Sequence, residues 1–333
     1  LRPAIITRAQ WGADESMRNR GPIYTGPIKA AFLHHTASSS KYTPAQSTAQ
    51  VRALYAWYTQ GLKYSDIAYN FLVDRYGRLY EGRAGGMDRN VLGGHTAGFN
   101  QNTFAVSAIG NFDTYKPTTA ENEAIVTNVA KLMAWKLALN HVDPASTATL
   151  VSNSSAGTSR YAVGQKARTP AISGHRDIGS TACPGRYLET QVPRIRTLAR
   201  SYMGAQLVTP SLTPSVASYG GAGTTVSATT TAPLAWKLEV YSVCQSAPVR
   251  VITGTQKTAG ALKVLWNQRR TDGSNALPGT YRLVLSGRSG NAVAYPVTTS
   301  MVVAPTATSP DGPCAEVSRI GETERYSAAV RIG

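Results

Sequence analysis

Apolar positions in residues 5–203 follow two patterns, one typical of buried strands and one of amphipathic helices. Short apolar runs at residues 31–33 and 104–109 predict buried strands, the first ending at His34. Residues 69–73 and 79–81 flank a polar, glycine-containing turn and therefore predict a β-hairpin. The sheet of this region is thus expected to be built from several short strands.

Helix signals lie between these strands. Thr43 and Gln46 form a capping box with a proline between them, and Thr118 and Glu121 form a second one. Apolar side chains follow each box at helical spacing, and a third helix is predicted within residues 191–203. Strands alternating with helices predict an α/β domain whose sheet is covered by helices on at least one face.

The composition changes after residue 203. Residues 204–233 are rich in Thr, Ser, Gly and Pro and are predicted to be a linker. From residue 234 to 304 apolar and polar residues alternate with period two, and no helical stripe interrupts them. This pattern predicts a small β-sandwich with strands at residues 236–240, 249–252, 262–266, 281–285 and 293–296.

The chain of 333 residues exceeds the usual size of one domain. We expect domains at 1–203 and 234–314, joined by the linker at 204–233 and followed by a short tail at 315–333. The sequence opens on Leu1 without a signal segment, so we expect a processed protein or a fragment. No apolar run is long enough to cross a bilayer, which predicts no transmembrane segment.

The formal net charge of +16 is spread over both halves of the chain. Such a charge suits any polyanionic surface, including nucleic acid, anionic lipid and the phosphate-rich polymers of a bacterial wall. An ordinary solvated basic surface explains it equally well. Because no nucleic-acid-binding motif is present, we predict no nucleic-acid partner.

The chain contains three cysteines. Cys244 and Cys314 lie far from Cys183 along the chain and are candidates for a disulfide bond. That pairing leaves Cys183 over, and an odd cysteine in an exported protein is explained if it ligates a metal.

Histidines occur near Cys183 and at the end of the first buried strand. His34 and His35 follow that strand, and His95 and His175 each follow a glycine. Two imidazoles and one thiolate with an open fourth position are typical of a hydrolytic zinc ion, whose bound water loses a proton near neutral pH. By spacing alone, a histidine buried in the core for structural reasons remains an alternative.

Ordered motifs over residues 5–203 carry a family resemblance. They are ITRAQWG at 6–12, LHHTA at 33–37, SDIAYNF at 65–71, YEGR at 80–83, GHTAGFN at 94–100, AIGNF at 108–112, GHRD at 174–177 and TACPG at 181–185. The region resembles the N-acetylmuramoyl-L-alanine amidase family, which includes phage amidase lysozymes and animal peptidoglycan recognition proteins. The resemblance implies a mixed central sheet covered by helices.

The resemblance also implies site residues. His34, His175 and Cys183 match the zinc ligands of the family, and Tyr69 matches its catalytic tyrosine. Thr181 occupies the position of a threonine or lysine that assists catalysis. Tyr69 and Thr181 are expected to donate hydrogen bonds to the developing oxyanion. A tyrosine packed in a strand remains the alternative for Tyr69.

Other residues around the expected cleft have weaker signals. His35 and His95 are expected to contact the glycan or the stem peptide, with local hydrogen bonding to a turn as the alternative. Asp177 and Glu81 are candidates for a general base; for Asp177 the alternatives are a hydrogen bond that orients a metal ligand, or a surface position. Residues 147–171 resemble an insertion and are predicted to form a hairpin or loop beside the cleft.

Two further resemblances concern the C-terminal part. Trp266 and residues 236–240, 272–273 and 278–281 resemble an Ig-like domain first described in flagellar hook-capping proteins. Residues 317–330 resemble the start of a type-2 cell-wall-binding repeat. The second resemblance implies that the catalytic domain is followed by a cell-wall anchor, of which only the start is present in residues 315–333.

The sequence therefore predicts a zinc hydrolase that cleaves the amide bond between N-acetylmuramic acid and L-alanine in bacterial peptidoglycan. We expect a secreted or cell-wall-associated bacterial monomer that contacts peptidoglycan and anionic wall polymers. The alternative is a non-catalytic peptidoglycan receptor on the same fold. Such receptors typically lack the cysteine, so Cys183 favours the enzyme.

Overall fold

The computed structural model describes residues 2–312. The chain forms two compact units, the first ending at Met203 and the second beginning at Gly204. Cys314 and the predicted wall-binding segment 315–333 lie outside the described residues, so the Cys244–Cys314 disulfide and the repeat stay predictions. No helix in the described part of the chain is long and apolar enough to cross a membrane.

The first unit is an α/β domain, as predicted. Its strands are β1 (Ile5–Ile6), β2 (Ala30–His35), β3 (Phe71–Val73), β4 (Leu79–Glu81), β5 (Thr103–Ala108), β6 (Thr147–Val151), β7 (Lys166–Pro170) and β8 (Ile172–Gly174). Its helices are α1 (Arg8–Trp11), α2 (Ser47–Ala56), α3 (Thr119–Leu139), α4 (Arg186–Glu189) and α5 (Val192–Met203). A π-helical segment, Trp57–Gly61, extends α2.

Six of these strands form one mixed sheet in the order β1-β4-β3-β5-β2-β8. Only β3 and β4 pair antiparallel, as the predicted hairpin, and the other neighbours are parallel. In β3, Leu72 joins the core cluster of α2, whereas Phe71 contacts Trp135 of α3. Because successive strand residues point to opposite faces, α2 and α3 cover opposite faces of the sheet.

The capping residues define where the helices begin. Both side-chain contacts of the predicted capping boxes are present, at Thr43 with Gln46 and at Thr118 with Glu121. Thr118 accepts a hydrogen bond from the Glu121 backbone amide at the start of α3. The boxes satisfy amides that have no partner within the helix.

The register of the parallel strands determines which residues lie next to one another at the ends of β2 and β8. Leu33 of β2 pairs with Gly174 of β8, so the residues that follow, His34 near the end of β2 and His175 directly after β8, lie side by side. The carboxyl ends of parallel strands lie at one edge, which is where ligand sites form in such sheets.

The second unit consists of β-strands only among its described residues. They are β9 (Leu207–Thr213), β10 (Val216–Ser218), β11 (Thr224–Thr230), β12 (Leu234–Ser242), β13 (Arg250–Gln256), β14 (Gly260–Trp266), β15 (Gly279–Ser289), β16 (Ala292–Val293) and β17 (Val297–Ala304). One sheet has the order β10-β17-β15-β12-β13 with β16 beside β15, and the other has the order β14-β11-β9. Buried residues of both sheets form one hydrophobic cluster.

The predicted linker at residues 204–233 is wrong, because β9, β10 and β11 lie within it. In β11 every second side chain is buried, with Thr224 and Thr230 fully so. Threonine, a good strand former, fills interior positions here. The sandwich unit therefore starts near residue 204 instead of 234.

A predicted strand at residues 293–296 is also wrong beyond Val293, because β16 ends there and the next strand, β17, begins at Val297. The Ig-like resemblance stays a prediction.

Candidate metal centre

Three side chains from separate segments meet at the carboxyl edge of the sheet. His34 lies at the end of β2, His175 directly follows β8, and Cys183 lies in the loop after it. One ligand atom from each lies within 4.8 Å of the other two. All three residues are buried, with exposed fractions of 1%, 8% and 8% respectively. The structure thus brings together the three ligands predicted from the sequence.

His34 offers its two nitrogens to different partners. Its Nδ1 lies 3.4 Å from Sγ of Cys183, and its Nε2 lies 3.2 Å from Oγ1 of Thr96. The Cys183 sulfur also accepts a hydrogen bond from the backbone amide of His35 at 3.3 Å. Nδ1 of His34 and Sγ of Cys183 are therefore close enough to bind the same ion.

The protonation states of the cluster fit a cation. Burial, followed by the neighbouring His175, holds the pKa of His34 well below its usual value. Burial lowers the pKa of His175 to about 4 and raises that of the Cys183 thiol to about 12. Neutral imidazoles keep their lone pairs for a metal, and a cation would stabilise the thiolate that burial alone disfavours. This donor set fits zinc.

A cavity of about 830 Å³ opens beside the cluster. Tyr69, His95 and His175 form part of its wall, and Trp57 and Arg83 line it as well. The remaining described lining residues are Asn19, Arg20, Ile23, Tyr58, Leu62, Lys63, Tyr64, Ser65, Ala68, Leu92, Gly93, Gly94, Ala97, Asn100, Gly157 and Thr158. None of these described lining residues is acidic, and the wall combines aromatic, aliphatic, polar and basic residues.

Tyr69 lies at the junction of the cavity and the ligand cluster. Its ring centroid is 5.2 Å from that of His34, and its hydroxyl donates a long 3.5 Å hydrogen bond to the His35 carbonyl. Burial first, then the neighbouring Tyr58, raises the pKa of Tyr69 well above its usual value. The phenol is therefore neutral and keeps its proton for donation.

His95 and His35 occupy different positions. Nδ1 of His95 lies 2.9 Å from Oγ1 of Thr96, while its buried Nε2 has no protein partner and the residue lines the cavity. His35 does not line the cavity, and its Nδ1 accepts a hydrogen bond from the Phe112 amide at 3.1 Å. His95 therefore lines the cavity, whereas His35 lies outside its described lining.

Thr181 and the two candidate bases do not line the cavity. The Thr181 hydroxyl accepts a hydrogen bond from the Cys183 amide at 3.1 Å and so orders the loop of the cysteine. Asp177 accepts from the Gly174 amide at 3.0 Å, and Glu81 accepts from the Arg8 amide at 3.1 Å. These contacts give all three side chains a structural role.

Sequence reasoning missed two threonines at the centre. Thr96 contacts His34, and Thr158 contacts Nε2 of His175 at 3.2 Å. Thr158 belongs to residues 147–171, which form the expected hairpin: β6 pairs antiparallel with β7, and Gly157 and Thr158 line the cavity. The available signals were the GHTAGFN motif around Thr96 and the glycine that precedes Thr158.

Comparison with known proteins gives matches over the first unit. A model of the family described as N-acetylmuramoyl-L-alanine amidase matches residues 24–186. Peptidoglycan-recognition protein SC2 of Drosophila melanogaster is 28% identical over 188 residues, which cover 56% of this chain and 84% of the relative. Peptidoglycan recognition protein 4 of Homo sapiens is 33% identical over 122 residues, which cover 37% of this chain and 31% of the relative. The solved structure of Drosophila Peptidoglycan Recognition Protein (PGRP)-SA aligns with 23% identity and a TM-score of 0.42, covering 57% of this chain and 91% of that one.

Proposed function

We propose that the first unit is a zinc-dependent amidase. Its substrate is bacterial peptidoglycan, and the bond hydrolysed joins N-acetylmuramic acid to L-alanine. The family match and the relatives support the amidase/peptidoglycan-recognition family, from which the proposal starts. The observation that carries the proposal is the buried set of His34, His175 and Cys183, whose ligand atoms lie within 4.8 Å of one another.

The three ligands would leave one coordination position open, which is typical of catalytic rather than structural zinc. When bound, zinc would supply Lewis-acid polarisation of the scissile carbonyl and activation of water. The protein contributes three buried donor residues and fixed directions for the two imidazoles. Their neutral state at pH 7 follows from burial.

Tyr69 would stabilise the charge that develops on the carbonyl oxygen. Its neutral phenol is buried next to His34, and its bond to the His35 carbonyl is long enough to be exchanged for a better acceptor. One well-placed donor of this kind contributes about 3–4 kcal/mol to lowering the barrier. Thr181 is a weaker candidate for the same role because it orders the Cys183 loop and does not line the cavity.

The cavity wall is suited to an anionic, sugar-bearing ligand. Arg20, Lys63 and Arg83 supply positive charge for carboxylates, and Trp57 and Tyr64 present half-exposed rings on which a sugar could lie. The ring of His95 lines the same space. We therefore retain His95 as a substrate contact, whereas His35 would act by supporting the cysteine.

A second candidate function is a non-catalytic peptidoglycan receptor. The relatives with matching sequence carry the name peptidoglycan-recognition protein, and the same cavity would serve binding without turnover. The complete donor set favours the enzyme, since a receptor has no need of three converging metal ligands.

The remaining proposals follow from this function. A peptidoglycan hydrolase acts outside the membrane, so we propose a secreted, wall-associated bacterial protein that works as a monomer. Its net charge of +16 would favour contact with anionic wall polymers. The second unit would then be an Ig-like spacer, with Cys244 and Cys314 as a disulfide and residues 315–333 as the start of a wall-binding repeat.

The test is to incubate the protein, loaded with zinc or stripped by a chelator, with purified peptidoglycan. An amidase releases stem peptides with a free L-alanine amine only in the zinc-loaded sample. Binding of peptidoglycan fragments without any released peptide would identify the receptor instead.

A further inference from the structure

The loop of the β6–β7 hairpin, residues 152–165 and here called the hairpin loop, contacts two other segments of the first unit, residues 98–99 and residues 179–180. On one side the Asn153 amide donates to the Gly98 carbonyl at 2.9 Å, and Tyr161 packs edge-on against Phe99 at 5.4 Å between ring centroids. On the other side the Ser180 amide donates to the Thr158 carbonyl at 2.8 Å. The hairpin loop is therefore held in place from two directions.

A second set of contacts ties the hairpin loop to the segment that follows His175. Arg160 donates from Nη2 to the Gly179 carbonyl at 2.7 Å, and Ser159 forms an isolated β-bridge with Gly179. These bonds place the Thr158 side chain against the His175 ring, where Oγ1 lies 3.2 Å from Nε2. The contact joins residues 17 positions apart in the sequence.

The Nε2 edge of His175 is enclosed by protein. A Cβ atom at Gly179 would lie 2.9 Å from both Nε2 and Cδ2, so that edge packs against the backbone of residue 179. The Thr158 hydroxyl occupies the remaining hydrogen-bonding direction at Nε2. Nδ1 is consequently the nitrogen left to face the cation, as it is in His34, where Nδ1 lies 3.4 Å from the Cys183 sulfur.

We propose that Thr158 is a positioning residue of the metal centre, which fixes the orientation and tautomer of His175 by accepting the Nε2–H. Thr96 does the same for His34. The hairpin loop is thereby a structural part of the metal site as well as a wall of the cavity. The inference rests on the proposed metal site and is independent of the reaction that the site performs.

Physical chemistry sets the expected size of the effect. When the lone pair of Nδ1 binds a metal, the ring proton resides on Nε2, and a hydroxyl that accepts this proton selects that tautomer and stops ring rotation. Losing such a partner weakens metal affinity by about 10–100-fold. A residue with only a packing role would not change affinity when its shape is kept.

The test compares Thr158→Val, which keeps the shape and removes the hydroxyl, with Thr158→Ser, which keeps the hydroxyl. Thr149→Val, at an exposed position on the same hairpin, is the matched control. Zinc affinity is measured by competition with a chromophoric chelator, and coordination geometry is followed in the absorption spectrum of the Co²⁺-substituted protein. We expect T158V to bind zinc about 10–100-fold more weakly with an altered Co²⁺ spectrum, while T158S and T149V match the wild type.

Equal zinc affinity and equal Co²⁺ spectra for T158V and the wild type would overturn the inference and leave the proposed function standing. If the wild type itself binds no zinc, the proposed function fails, and the inference fails with it. Should T158V not fold, as judged by circular dichroism, Thr158→Ala replaces it. T158A binding as tightly as T158S would then overturn the inference.

Discussion

Nδ1 of His34 and Sγ of Cys183 lie 3.4 Å apart although 149 positions separate them in the sequence. The distance exists because β2 and β8 are parallel neighbours and because the loop after β8 returns to the end of β2. The pair, completed by His175, is the chemical centre of the first unit.

The Cys183→Ser substitution is expected to abolish tight zinc binding. A neutral hydroxyl is a far poorer zinc ligand than a thiolate, and the substitution removes one of only three protein ligands. The measurement is zinc content after dialysis against a weak chelator. His141→Gln changes a histidine outside the ligand cluster and should retain its zinc; equal retention by C183S would contradict the ligand assignment.

The Tyr69→Phe substitution is expected to lower kcat by about 10²–10³-fold, because it removes one oxyanion donor and leaves the ring in place. Zinc content and KM should change little, since the hydrogen bond of the hydroxyl goes to a backbone carbonyl, that of His35. Steady-state kinetics on a soluble muropeptide measure both constants. Tyr202→Phe, at an exposed position, is the control; a kcat for Y69F equal to that of the control would remove Tyr69 from catalysis.

The metal-free protein is expected to lose stability as the pH falls from about 6.5 to 4. Burial lowers the pKa of His175 to about 4 and of His95 to about 3, and holds that of His34 well below 6.5. In this window the unfolded chain binds protons that the folded chain does not, so the free energy of unfolding rises with pH.

Each fully coupled group contributes at most about 1.4 kcal/mol per pH unit within that window. Urea denaturation at several pH values gives the slope, and His95→Asn should reduce it. An unfolding free energy that stays constant from pH 6.5 to 4.5 would show that the imidazoles are not held neutral.

The Val226→Asp substitution is expected to unfold the second unit, because residue 226 is 1% exposed and lies in β11, at the centre of the β14-β11-β9 sheet. An unpaired buried carboxylate costs on the order of 3–5 kcal/mol. Calorimetry should show loss of the transition of the second unit while zinc binding by the first persists. Ser227→Asp, one residue along and half-buried, is the control; if V226D melts like S227D, the segment is a linker after all.

Continuous apolar runs and capping boxes made the first unit readable from its sequence. The strand ending at His34, the hairpin of β3 and β4, and the start of α3 all form as expected, since each is signalled by neighbouring residues. The three candidate ligands lie at or after the ends of such elements, and the family resemblance of the motifs around them singles them out.

The second unit shows the opposite case. Strand β11 buries Thr224 and Thr230, and hydrophobicity alone does not count threonine as a core residue, so a threonine-rich composition predicts a linker where a strand forms. Thr96 and Thr158 could not be predicted for another reason. Each hydroxyl contacts a histidine on a different segment, His34 or His175, and the two segments meet only in the folded chain. The pattern of neighbouring residues does not predict such contacts.

The most direct test of the central claim is mass spectrometry of a defined N-acetylmuramoyl-peptide digested by the zinc-loaded protein in ¹⁸O-enriched water. The account predicts two products, a free peptide with an L-alanine amino terminus and N-acetylmuramic acid with one ¹⁸O in its lactyl carboxylate. Neither should form with C183S or with the chelated protein. An intact muropeptide recovered in complex with zinc-loaded wild-type protein, with no ¹⁸O incorporated, would contradict the assignment as an amidase.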